Sequence, residues 1–97
     1  MSGQEGVVAV AELLIRNQLG MHIRSCGMFV AIAGKFKSQV FVSRDGQDEV
    51  NGKSILGLIS LAAESGVTIR VRTEGPDADA MLAALKELVD GKFGGEP

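Results

Sequence analysis

Tryptophan and tyrosine are absent from this 97-residue chain, cysteine and histidine occur once each, and proline only twice. The single thiol, Cys26, cannot close an internal disulfide, and a short chain without disulfides usually works in a reducing compartment, so a cytoplasmic location is expected. One cysteine and one histidine do not supply the ligand set of a zinc or redox centre, and no metal or cofactor is expected. No apolar run approaches the ~18 residues that span a bilayer, and Met1 to Gly6 lacks the basic-then-apolar order of a signal peptide. An excess of positive charge is missing too: Lys and Arg total 10 against 12 for Asp and Glu, a net charge of -2. The isoelectric point near 5.3 is on the wrong side for a nucleic-acid or anionic-membrane partner. Proteins are the expected partners.

What is present is an ordinary folded composition, 45% apolar and 23% charged, with 13 glycines. That is enough apolar material for one core. The expectation is a single domain over residues 1–97, with its core at about 7–90 and flexible tails at 1–6 and 92–97. A body this small removes roughly two-thirds of its unfolded surface from water, which leaves little room for an enclosed active site.

Val7 to Arg16, rich in Val, Leu and Ile between glycine-containing turns, predicts a first strand. From His22 the period changes. Cys26, Phe29, Ala33 and Phe36 recur at three- and four-residue steps, the apolar stripe of a helix ending near Gly34 to Phe36. Gln39 to Arg44 predicts a second strand, and Asp45-Gly46 a turn into a short third strand around Gln47 to Val50. Ser54 is a good N-cap for a helix over Ile55 to Ala63, closed by Gly66. Val67, Ile69 and Val71 alternate with Thr68, Arg70 and Arg72, a strand with one buried face. Gly75-Pro76-Asp77 opens a last helix striped by Met81, Leu85, Leu88 and Val89, with Asp77 and Asp79 set against its dipole and Gly91 as its stop. The order βαββαβα gives an α+β fold, one sheet with helices on one side.

Two segments could carry chemistry. His22 stands at the start of the first helix, with Gly20 before it and Arg24 after it. A helix start offers unpaired N–H groups and partial positive charge, a neutral imidazole is a competent nucleophile, and a guanidinium can pair with phosphoryl oxygens. Nucleophile, anion hole and counter-charge would share one turn, although a lone histidine near an arginine also fits an ordinary polar loop. In the second segment, Asn51 to Ser60, the short helix is apolar around most of its circumference. A single layer covers only one side of it, so it either exposes a protein-docking patch or packs wholly into the core. Ser54 has a plain task as N-cap, and a phosphate there would sit on the helix dipole at the edge of that patch. Cys26, one turn after His22, reads as a packing residue.

Gly20-Met21-His22-Ile23-Arg24-Ser25 and Lys53-Ser54-Ile55-Leu56-Gly57-Leu58-Ile59-Ser60-Leu61 together resemble the histidine-containing phosphocarrier (HPr) family of the bacterial phosphoenolpyruvate-dependent sugar phosphotransferase system. The resemblance extends over roughly Val7 to Val89. It implies an open-faced β-sandwich, a four-stranded antiparallel sheet with three helices on one face. It also implies a carrier protein, not an enzyme, phosphorylated at His22 on Nδ1 by enzyme I and discharged to sugar-specific IIA domains, with Arg24 stabilising the phosphoryl charge. Ser54 would match the serine modified by an HPr kinase/phosphorylase, and Ile55, Leu56 and Ile59 the apolar docking surface. The family precedent implies a monomer.

The family has proline where this chain has Ser25. Proline there would restrict φ, so Ser25→Pro is expected to stabilise the domain and leave His22 phosphorylatable. Two other functions fit the residues: a regulatory paralogue of the same family switched by phosphorylation of Ser54, and a non-catalytic protein-interaction module in which His22 and Arg24 are loop residues.

Overall fold

The computed structural model describes residues 7–97; the tail expected at 1–6 lies outside them. The chain runs β1 (Val8–Leu14), α1 (Ile23–Ala33), β2 (Gln39–Ser43), β3 (Val50–Asn51), α2 (Ile55–Ser60), β4 (Thr68–Glu74), α3 (Ala78–Asp90) and a short α4 (Lys92–Gly95). The four strands pair antiparallel in the order β1-β4-β2-β3. This is the expected α+β open-faced sandwich.

The period-two pattern decides which face is covered. Ile69, Val71 and Thr73 of β4 point inward beside Leu13 of β1 and Val40 and Val42 of β2. Against them pack Phe29 of α1, Leu58 of α2, and Met81, Leu85 and Val89 of α3, all fully buried. Each such side chain contributes about 1.5–3 kcal/mol of burial free energy, so these stripes hold the helices on the sheet. On the opposite face Arg72 lies over the Phe41 ring, 4.5 Å from its centroid, and pairs with Glu49 and Glu74.

Several boundaries differ from expectation. Asp45 and Gly46 form the turn, both at positive φ, with Gln47 N–H donating to Arg44 O at 2.8 Å. Pairing with β2 then starts only at Val50, so β3 is two residues long and not the stretch from Gln47. Helix α2 stops at Ser60, because the chain enters the left-handed region at Ala62 (φ 51°).

The largest difference is at the C-terminal end. Residues 92–97, expected as a flexible tail, dock on the body. After Gly91 the chain makes a turn in which Lys92, Phe93, Gly94 and Gly95 all have positive φ, closed by Gly95 N–H to Gly91 O at 3.0 Å and Glu96 N–H to Lys92 O at 2.9 Å. The turn buries Phe93 completely in the core and returns the backbone so that Gln18 N–H donates to Pro97 O at 2.5 Å.

Candidate functional site

The loop from β1 to α1 is shaped by a glycine that nothing can replace. Gly20 has φ +69°, and a Cβ placed there would lie 2.6 Å from Ala63 O and 2.8 Å from Glu64 Cα. Its missing side chain lets the loop lie against the segment after α2, where Met21 N–H donates to Ala63 O at 2.8 Å. This contact delivers His22 to the N-cap of α1 in extended conformation. The first bond within the helix runs from Cys26 N–H to His22 O, so the amides of Ile23, Arg24 and Ser25 precede the helical ladder and form its electropositive end.

Ser25 has a defined task here. Its buried hydroxyl accepts from His22 N–H at 2.9 Å and lies 3.1 Å from the carbonyl oxygens of Gly20 and His22, to which it donates. The bond from His22 N–H to Ser25 Oγ supplies one half of a capping box. Serine at this position pins the loop that carries His22, which reverses the expectation that Ser25→Pro would stabilise the domain: proline would remove both the hydroxyl bridge and an N–H.

His22 and Arg24 converge on a residue the sequence did not single out. The Glu96 carboxylate has Oε2 3.1 Å and Oε1 3.2 Å from His22 Nε2, and Oε2 2.5 Å from Arg24 Nη1. Asn17 Nδ2 donates to Glu96 Oε1 at 2.8 Å and to Gly20 O at 2.8 Å. The Glu96 side chain is only 7% exposed, against 30% for His22 and 64% for Arg24. Burial pushes its carboxyl up, but hydrogen bonds from His22, Asn17 and Arg24 outweigh that and hold it below the usual glutamate range. Asn17 is fully buried, and its Oδ1 has no hydrogen-bond partner among the described residues. One signal for Glu96 was available: an aromatic, Phe93, inside a glycine-rich tail argues for docking. For Asn17 there was only a polar residue in a turn.

Cys26 is buried, and burial pushes its thiol up to about 11. It stays a neutral packing group, as expected. No group of three or more metal-ligating side chains occurs among the described residues.

A half-exposed imidazole at a helix N-terminus, sharing a carboxylate with a guanidinium, has the chemistry to hold an anion such as a phosphoryl group. Comparison with known proteins agrees. The family pattern described as "PTS HPr component phosphorylation site" matches residues 10–90. The chain belongs to the HPr family. It is similar to the phosphocarrier protein HPr of Pseudomonas aeruginosa, 42% identical over 82 residues, covering 84% of this chain and 91% of that one. To HPr of Neisseria meningitidis serogroup A it is 44% identical over 80 residues, covering 82% and 89%. Among solved structures, an HPr from Thermoanaerobacter tengcongensis superposes with a TM-score of 0.86 at 37% identity, covering 92% of this chain and 99% of that one. HPr proteins are phosphocarriers, intermediates in a relay and not catalysts.

The second family segment lies on α2, which packs beside α1. Ser54 is its N-cap as expected, its Oγ accepting from Gly57 N–H at 3.0 Å. It makes no hydrogen bond to the His22 cluster. Of the three docking candidates, Leu56 is 80% exposed and Ile55 38%, whereas Ile59 is partly buried against the core. Leu19 and Ile23, on either side of His22, are 71% and 70% exposed. The apolar surface is therefore shared between α2 and the His22 loop. No described helix is long and apolar enough to cross a membrane.

Proposed function

We propose that this chain carries a phosphoryl group on His22, received from enzyme I and passed to IIA domains of a sugar phosphotransferase system. The observation that carries this reading is the placing of the only imidazole at the N-cap of α1, beside the Arg24 guanidinium, within a chain of the HPr family. In charging, the Nδ1 lone pair attacks phosphorus while the bond to the donor breaks and its electron pair leaves with the donor. The transition state is loose, so most of what a protein can contribute is position and charge. First-turn amides and Arg24 face the charge that the phosphoryl oxygens carry. Leu56 and Ile55, with Leu19 and Ile23, supply the apolar ground on which partners dock; the buried share of Ile59 makes it a support for that surface.

In the same reading an HPr kinase/phosphorylase modifies Ser54. A phosphate there adds charge beside Ile55 and Leu56 and weakens docking.

The relay assay tests the proposal. Purified enzyme I, phosphoenolpyruvate labelled in its phosphoryl group, this chain and a IIA domain are combined, and label on the IIA domain is measured. Label is expected only with the wild-type chain. A His22→Ala chain that passes label as fast as wild type would overturn the assignment.

A further inference from the structure

Among the described residues every glycine but one either has positive φ or would bring an added Cβ within 4 Å of another residue. The exception is Gly27. It lies inside α1, its φ is not in the left-handed region, and a Cβ built on it meets nothing within 4 Å. Glycine is the least favourable residue in a helix interior after proline, because it gives up the most backbone freedom on folding. The fold therefore carries a cost at Gly27 that neither a turn nor a close approach within the domain accounts for.

The position of Gly27 points to an occupant from outside. Gly27 is partly exposed and stands four residues after Ile23, so the two share a face of α1. Ile23 is itself exposed, as are Leu19, Ile55 and Leu56. Gly27 is five residues beyond His22, about 7.5 Å along the helix axis. A specific interface covers roughly 800 Å² on each partner, so a protein that reaches the His22 ring and extends along α1 covers Gly27 as well. The distance at which an element packs on a helix is set by the side chains at the contact, and where there is none the partner reaches the backbone.

Resting on the phosphocarrier assignment of His22, we propose that Gly27 is a specificity-determining residue for phosphoryl transfer: the hollow it leaves beside Ile23 receives a protruding apolar side chain of enzyme I, the donor that charges His22. The occupant is apolar because the rim is. Ile23 and the partly buried Val30 flank the hollow on α1, and Ile55 and Leu56 continue the surface on α2. Arg24, one turn before Gly27, is paired with Glu96 and does not fill the space. In the relay, donor and acceptors dock in turn on one surface, and a hollow of fixed shape fits one of them; the donor is the partner common to every transfer. The hollow takes no part in the chemical step, so its contribution is to binding and appears in KM.

Gly27→Ala sets stability against docking. In the free protein the added methyl meets open space, and helix propensity alone should raise Tm by about 4 °C. A Tm that does not rise would show that the fold itself requires glycine there and would overturn the inference. In charging by enzyme I and phosphoenolpyruvate, Gly27→Ala should raise KM for this chain about fivefold and leave kcat unchanged, since overfilling a fitted contact weakens binding without touching the transferred group. Gly27→Leu, which fills the hollow, should raise KM further, and calorimetric titration of enzyme I with the unphosphorylated chains should give the same order in Kd. A stabilised Gly27→Ala chain that is charged with the wild-type KM, or a change in KM confined to discharge to a IIA domain, would overturn the assignment. A wild-type chain that neither binds enzyme I nor accepts its phosphoryl group would refute the carrier reading and this inference with it, whereas normal wild-type charging with no response at Gly27 refutes this inference alone.

Discussion

Ser25, where the family resemblance implied proline, has a structural task of its own. The hydroxyl ties His22 N–H to the Gly20 and His22 carbonyls in a buried corner. Restricting φ with proline contributes about 0.4–1 kcal/mol of stability, whereas orphaning a buried polar group costs about 1–3 kcal/mol, so the second effect wins. Ser25→Pro should lower stability by about 1 kcal/mol, a fall in Tm of roughly 4–8 °C in thermal denaturation. An unchanged or higher midpoint would show that the hydroxyl bridge is not what holds the loop. A second residue acts over distance. Asp77 was expected to serve the α3 dipole; its carboxylate instead accepts from the amides of Lys37 and Ser38 at 2.9 and 2.8 Å, tying the start of α3 to the loop before β2. Hydrogen bonding to the Ser38 side chain and to the Lys37 and Ser38 amides holds this carboxyl down at about 2 from its ordinary 3.8. A depressed carboxyl stabilises the fold above its unfolded value, and the contribution is lost as pH falls through the folded value. The fold should therefore lose stability between about pH 4 and 2, and Asp77→Asn should flatten that limb of a pH-dependent denaturation series. An equally steep limb in the variant would assign the acid loss to other carboxylates.

Among elements, the turn of α4 is the one that sequence periodicity could not anticipate. Helices and strands announce themselves through repeating apolar positions; four residues in a left-handed turn do not repeat anything. Glycine at 94 and 95 was visible, yet Lys92 and Phe93 also adopt positive φ, and their identities oppose it. Lys92→Gly should relieve strain and raise stability by about 1 kcal/mol, measured as a higher denaturation midpoint. A loss of stability would mean that the lysine side chain supports the turn. By contrast, α1, α3 and β4 were legible to within about three residues, because Cys26, Phe29 and Ala33, then Met81, Leu85 and Val89, then Ile69 and Val71, each mark one buried face. The N-cap of α2 was legible for the same local reason. There Ser54→Ala should cost about 1 kcal/mol of stability. Ser54→Asp, which keeps a capping oxygen, should fold normally and bind enzyme I more weakly in calorimetric titration; unchanged affinity would place the docking surface away from α2.

For the molecule as a whole, the division of labour follows from its topology. One sheet face is covered by the helices, and the start of α1 leaves the His22 side chain 30% exposed and not enclosed. His22 and Arg24 were singled out as candidates because their segment resembles the family motif; the residue types alone also fit an ordinary polar loop. Glu96 and Asn17 stayed hidden because they join the cluster through tertiary folding, 74 residues along the chain from His22 in the first case. The central claim, that His22 is the phosphoryl acceptor, is tested most directly by intact-protein mass after incubation with phosphoenolpyruvate and enzyme I. Wild type should gain one phosphoryl group that is lost in acid, and His22→Ala should gain none. A wild-type chain that gains nothing, or a His22→Ala chain that gains the same group, would contradict it.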